Sequence, residues 1–336
     1  MHSFRMHPVK RNFFSICLTL FYAGWMVFIF AGDHVGELFS HWPIALAMSL
    51  GSYFAGSTPM GGGTVGFPVL VMLQGEPSGM GRDFGFAIQS IGMVSASLFI
   101  WSQGIRVHGS LLRWALLGSM LGTPMGLVLL GNRMPSVWVQ GIFSLLWGGF
   151  GILHLLKITA MSLPSVERVV PHARTRWIGL LIGFVGGSTV ASLTGVGIDM
   201  VLYMVLVIYY RTDLKTAIPT SVVLMAMTSV IGLFTQCAMG QLDPQVWGHW
   251  LAAAPVVAVG APFGAWVVSR MGREFSILLV SLLCLFQFAW FLLREREALG
   301  WAGITLCTGM LCLMSGLYCF LFQWWAKEPK GTAEVT

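Results

Sequence analysis

The chain has 336 residues, 56% of them apolar and only 10% charged, a balance that a water-soluble domain of this length does not keep in solution. Its formal charge of +6 comes from 19 Lys and Arg against 13 Asp and Glu. The cations stand singly between apolar runs and form no basic, aromatic-rich face, which excludes a nucleic-acid-binding module and makes them topology signals in a chain whose main solvent is lipid.

The N-terminal tail carries Arg5, Lys10 and Arg11 ahead of an apolar run over 13–31. A secretory signal begins the same way, but this run approaches the roughly 20 residues that cross a hydrocarbon core and ends at Asp33 without a small-x-small cleavage site. The expectation for 1–43 is a tail and an uncleaved first span. A first transmembrane repeat follows over 44–156, opening on a long apolar segment interrupted by glycine (44–73) and continuing as three uninterrupted spans, the last over 137–156. Residues 157–176 read as a basic cytoplasmic linker with Lys157, Arg168, Arg174 and Arg176. A second repeat over 177–293 again opens on a glycine-interrupted segment (177–210) and closes on an apolar run over 275–293. Residues 294–336 supply a C-terminal span, about 301–325, and a tail. Cys17, Cys237, Cys284, Cys307, Cys312 and Cys319 lie in or beside spans without metal-ligand spacing, so apolar packing is their expected role and no cofactor or metal is indicated.

Comparison of the chain with itself yields three collinear matches. Ser57, Thr58, Pro59, Met60, Gly61, Gly62 and Gly63 answer Ser188, Thr189, then Thr194, Gly195, Val196 and Gly197. Ala87, Ile88, Gln89 and Ser90 answer Ala217, Ile218, Pro219, Thr220 and Ser221, and Gly122-Thr-Pro124-Met-Gly126 answers Gly260-Ala-Pro262-Phe-Gly264. The offsets are roughly 130 to 138 residues throughout, as expected of an internal duplication.

Charge decides how the interrupted segments run. With the N-terminus inside and both segments re-entrant, only Arg82, Arg133, Arg294 and Arg296 lie outside, leaving 15 of the 19 cations inside. If both segments crossed, the split would be 11 to 8 of the same 19. The re-entrant arrangement therefore fits the inside bias of cytoplasmic loops, and three full spans per repeat turn the second copy upside down. The fold class is an all-α integral membrane protein with eight spans and two re-entrant half-helix pairs in inverted-topology repeats, both termini cytoplasmic. Trp42, Trp101, Trp138, Trp177, Trp247 and Trp301, near span ends, agree with it.

Non-helical backbone at membrane depth is tolerated only where protein or a wet cavity encloses it, so the two glycine turns mark the expected site. New half-helices are expected near Thr64 and Ile198, where free N–H groups and the positive dipole end attract an anion and glycine permits close approach. The expected substrate cage consists of Ser57, Thr58, Gly61, Gly62, Gly63 and Thr64 at one turn and Ser188, Thr189, Thr194, Gly195 and Gly197 at the other, with Gln89, Ser90, Thr220 and Ser221 on the next spans. No lysine or arginine is expected at mid-membrane depth. The same small residues also serve close helix packing, which is the preferred reading for Gly118, Gly122, Gly126, Gly260 and Gly264. Asp199 is the one carboxylate inside an apolar segment and has two readings, a proton or cation relay and a cap for free N–H groups. His154 and His249 are assigned to the membrane interface.

The glycine turns Gly61-Gly62-Gly63 and Gly195-Val-Gly197, the downstream Ala-x-x-Ser/Thr-Ser elements and the paired Gly-x-Pro-x-Gly segments together resemble the sulfite exporter TauE/SafE family over about 44–293. The resemblance implies transport of sulfite, sulfonates or other small organic anions across a bacterial inner membrane. The second turn departs from a triple glycine, and Ala87-Ile-Gln89-Ser90 lacks the Thr-Ser of Thr220-Ser221. The partners expected are a small anionic solute and the lipid bilayer. An anion channel and a proton-coupled uptake permease remain open alternatives, whereas an enzyme is not expected. Gly195 to Asp199 has one residue too many for an intramembrane aspartyl protease motif, and no second membrane carboxylate accompanies it.

Overall fold

The computed structural model describes residues 8–162, 168, 170–270 and 273–327. Among them there is no strand. The helices in chain order are α1 (Pro8–Ala31), α2 (Val35–Ser40), α3 (Trp42–Ser57), α4 (Gly63–Phe67), α5 (Ser78–Ser102), α6 (Gly109–Leu129), α7 (Ser136–Ser162), α8 (His172–Gly186), the single turn α9 (Ser192–Thr194), α10 (Ile198–Ile208), α11 (Leu214–Ala238), α12 (Val246–Arg270), α13 (Arg273–Arg294) and α14 (Arg296–Lys327). Wider π-helical turns extend α4 through Pro68–Gln74 and join α8 to α9 through Gly187–Ala191.

Nine stretches among the described residues are long and apolar enough to cross a bilayer. Eight are the expected spans. The ninth, His172–Thr194, is the incoming arm of the second interrupted segment, which starts earlier than 177 and is carried through by its π-helical turn. Length alone does not make it a crossing, because the chain reverses at Gly195–Gly197.

Packing along the arms shows that both interrupted segments double back. A methyl group added at Gly51 would stand 3.1 Å from the Gly62 carbonyl oxygen, and one at Gly66 would stand 3.1 Å from the Met48 sulfur. Contacts that step backwards on α3 while stepping forwards on α4 define an antiparallel hairpin. In the second segment Gly186 lies against Ile198 and Gly197 against Val190, the same reversal. Three full helices, α5 to α7, separate the hairpins, so the second enters from the opposite face. The first opens on the face that carries the loops 75–77, 130–135 and 239–245, called here the first face.

The two halves exchange partners. The incoming arm α3 packs on α12, and its counterpart α8 packs on α6, while α5 lies against α11 at the centre. Small residues make these contacts close. A side chain at Gly118 or Gly122 would overlap the backbone of α8 at Leu180 or Phe184, one at Gly126 that of the π-helical turn at Ser188, and one at Gly260 or Gly264 would overlap Ser52 or the Tyr53 carbonyl on α3. Glycine packing is therefore the role of these stripes, as it is wherever apolar area alone gives helices no preference for one another over lipid. Helices α1 and α14 lie outermost, with lipid-facing residues such as Leu20, Phe30, Trp301 and Leu313.

Two details go beyond the sequence reading. The stretch 157–176 is helical at both ends, since α7 runs to Ser162 and α8 starts at His172. The middle repeat match is also out of register. The Asp83 Oδ2 accepts the N–H of Asp243 in the loop before α12 (3.3 Å), and the Thr220 Oγ1 accepts the N–H of His108 in the loop before α6 (2.8 Å). These equivalent bonds pair Thr220 with Asp83, about two helical turns from Gln89 and Ser90.

Substitution of Gly122 by Leu forces α6 away from α8 and should lower the thermal midpoint of the purified protein, in line with an overpacking cost of about 1–3 kcal/mol or more. Gly316→Ala, where a methyl group meets open space, should leave the midpoint unchanged.

Candidate functional site

Each hairpin tip is closed by its own side chains and by glycines in the left-handed region. In the first, the Thr58 Oγ1 donates to the Phe54 carbonyl (2.8 Å), and Gly61 (φ +62°) turns the chain into α4. In the second, the Thr194 hydroxyl lies within hydrogen-bonding distance of the Val190 and Val196 carbonyls (2.8 and 3.0 Å), and Gly195 (φ +74°) and Gly197 (φ +96°) lead into α10. A side chain at either position would be strained, which is why the turns are glycine.

The two tips meet. A side chain at Gly63 would overlap Val196, and one at Gly195 would overlap the Arg82 carbonyl on α5. The side chain of Gln89 clamps the second tip, its Nε2 donating to the carbonyls of Gly85 and Gly195 (3.0 Å each). The first tip is held from α7 and α13. The Trp147 indole donates to the Thr64 Oγ1 (2.9 Å), whose own hydroxyl donates to the Met60 carbonyl, and the Gln287 Nε2 donates to the Thr64 carbonyl (2.7 Å).

Asp199 lies at this meeting point, fully buried. Its Oδ1 accepts the Met200 N–H (3.0 Å) within the first turn of α10, whose N-cap position is Gly197. Its Oδ2 has no partner and faces Gly61, as does the equally unpartnered Oε1 of Gln89. Because both donors of Gln89 are committed to carbonyls, the amide is fixed in the orientation that sets one acceptor opposite another. The Ser57 hydroxyl oxygen is also buried without a partner.

Of the expected cage, the structure brings Gly61, Gly62, Gly63, Thr64, Gln89, Gly195, Gly197 and Asp199 together, with Ser57, Thr58 and Thr194 shaping the tips. The others point elsewhere. Ser90 donates to the Ala87 carbonyl and faces a cleft beside α1. Thr189 is exposed and donates to the Val185 carbonyl (2.6 Å), and Ser188 is packed under Gly126 of α6. Thr220 holds the α6 start, and Ser221 donates to the Ile218 carbonyl. Trp147 and Gln287 were not anticipated. Both have a sequence signal, an indole in mid-span away from any interface and a lone amide inside an apolar run. His154, near the end of the apolar stretch Ser136–Lys157, is buried and hydrogen-bonded to the Tyr203 hydroxyl (3.0 Å).

At the tips the open space is a void of about 10 Å³ beside Gly62 and Gln89, room for no more than one water. A larger polar cavity of about 510 Å³ opens on the first face between the α5 start and the loops 131–136 and 240–244. Leu193, from the tip of the hairpin that enters by the other face, contributes to its lining. Arg82 and Asp83 line it too, both buried and paired at 2.8 Å.

With this geometry in hand, the comparison with known proteins is direct: the family model described as sulfite exporter TauE/SafE matches residues 85–291, well over half of the chain. The chain belongs to the TauE/SafE family. The matched region takes in the second hairpin, Gln89, Asp199 and both Gly-x-Pro-x-Gly helices, while the first hairpin lies before it. No curated protein and no solved structure matches the chain. TauE/SafE is a family of membrane transporters, and the apolar helices make this member a multi-pass membrane protein.

Gln89→Leu would strand the Gly195 carbonyl without its donor and should cost about 1–3 kcal/mol of stability and most of the transport activity. Ser90→Ala and Thr189→Ala, at hydroxyls directed away from the tips, should match the parent protein in both thermal midpoint and flux.

Proposed function

We propose that the chain is a secondary transporter that moves a small sulfur-containing or organic anion, such as sulfite or a sulfonate, out of the cell across a bacterial inner membrane. The observation that carries this reading is the meeting of two glycine-tipped hairpins from opposite faces at one buried point. The half-helices α4 and α10 begin there, turning their positive dipole ends towards a negative solute, and no lysine or arginine lines the void beside Gly62. The site is closed around a void too small for the solute, so passage requires the tips to part, as alternating access demands.

Orientation follows from charge. The face that receives the second hairpin carries Arg106, Lys157, Arg174, Arg176, Arg211 and Lys215, which makes it cytoplasmic together with both termini, and the first face is external. A negative interior expels anions by about 2.3 kcal/mol per charge per 100 mV, so export needs no coupling ion.

Asp199 supports a second reading, proton-coupled uptake. A charged carboxylate at the tips would repel the solute, and its Oδ2 lies without a partner against Gly61, as does the Gln89 Oε1. A proton on Oδ2 removes the charge and gives the transporter a titratable group at the substrate site. In proteoliposomes Asp199→Asn should spare downhill anion efflux and abolish accumulation driven by a pH gradient. Equal loss of both would count against a coupling role.

A further inference from the structure

The polar cavity on the first face is bordered by charged side chains outside the hairpin tips, and its buried cation plays no part in the site described above. Arg82 is 1% exposed, yet it borders the cavity. Its Nε donates to the Asp83 Oδ1 (2.8 Å), its Nη2 to the Asn132 Oδ1 (3.1 Å) and its Nη1 to the Gly131 carbonyl. A guanidinium has five N–H donors, so two have no protein partner. The compensating carboxylate is engaged through both oxygens: the Asp83 Oδ1 also accepts from the Gln236 Nε2 (2.7 Å), and its Oδ2 accepts the Asp243 N–H (3.3 Å). Asp243 turns its own Oδ1 to the Gln245 N–H (2.9 Å). The two free guanidinium donors of Arg82 border the cavity, and charged N–H groups of this kind suit an oxyanion, while the carboxylates of Asp83 and Asp243 on the same wall are each engaged by an N–H donor.

Resting on the transporter reading, we propose that Arg82 forms an external docking subsite for a small oxyanion, one step before the hairpin tips on the solute's path. The volume of about 510 Å³ admits a sulfite or short sulfonate with its water, which the void at the tips does not. The subsite touches the moving part, because the Arg82 carbonyl abuts Gly195 and Leu193 borders the same cavity. It belongs to one face only. In the register set by Asp83 and Thr220, the counterpart of Arg82 is Pro219, which carries no charge. A docked anion thus engages its cation on the external side and has no equivalent group at the inner position.

The test is sulfite binding to the full-length protein, read from the concentration dependence of its thermal stabilisation, beside sulfite exchange in proteoliposomes. Arg82 also ties loops together, so the decisive variants are at Gln241, an exposed residue on the cavity rim. Gln241→Glu should weaken sulfite binding and Gln241→Lys should strengthen it, each by roughly two- to fivefold at low salt, with both shifts shrinking as ionic strength rises. Arg82→Gln should weaken binding by about tenfold or more, and Arg82→Lys should recover part of it. Parental affinity in both Gln241 variants, or in a folded Arg82→Gln protein, would overturn the subsite. Absence of sulfite and methanesulfonate exchange in the parent protein would instead overturn the transporter reading on which the subsite rests.

Discussion

Exposed backbone is the constraint that organises this molecule. The turns at Gly61–Gly63 and Gly195–Gly197 place non-helical peptide groups in mid-membrane, where lipid offers no hydrogen bonds, so each must be covered by protein. The cover is reciprocal. Val196 of one tip fills the space left by Gly63 of the other, the Gln89 amide caps the Gly195 carbonyl, and Trp147 and Gln287 hold Thr64. The exchange of arms between halves, α3 onto α12 and α8 onto α6, serves the same end by fixing both tips at one depth. Neither hairpin satisfies its tip alone.

Against this near-symmetric frame, a few residues stand in one half without a like residue in the other. Asp199 gives one half-helix a carboxylate that the other lacks, and the Gln89 amide reaches across to the opposite tip instead of its own. Arg82 puts a guanidinium on one face where Pro219 stands on the other. A transporter built from two inverted copies has no intrinsic direction; single-copy residues of this kind are what distinguish outside from inside.

Much of the framework was legible in the sequence because it rests on crude signals. Glycine interruptions marked the hairpins, and the cation count made them re-entrant, which the antiparallel contacts of Met48 with Gly66 and of Val190 with Gly197 bear out. The site was less legible, for identifiable reasons. Hydroxyls near a turn look alike in sequence, yet helical phase sends Ser90 towards α1 and Thr189 to the exposed surface while keeping Gln89 at the tips. The Ala-x-x-Ser likeness between 87–90 and 217–221 misled because small residues recur for packing, whereas the equivalence of Asp83 and Thr220 lies in what they bond and not in residue type. Arg82 looked like an ordinary external charge, since a span end in sequence does not distinguish bulk water from an enclosed cavity.

The central claim, that the two tips touch, is tested most directly by a cross-link between them. A Cβ at Gly63 would lie 3.3 Å from the Cβ of Val196, close to the separation of bridged cysteines. In a background without the native cysteines, and with a protease site inserted in the 163–167 segment, Gly63→Cys with Val196→Cys should form a disulfide under mild oxidation, holding the cleaved halves together until reduction. Failure to cross-link, with each cysteine instead reacting readily with a membrane-impermeant maleimide from its own side, would place the turns in surface loops and contradict the account.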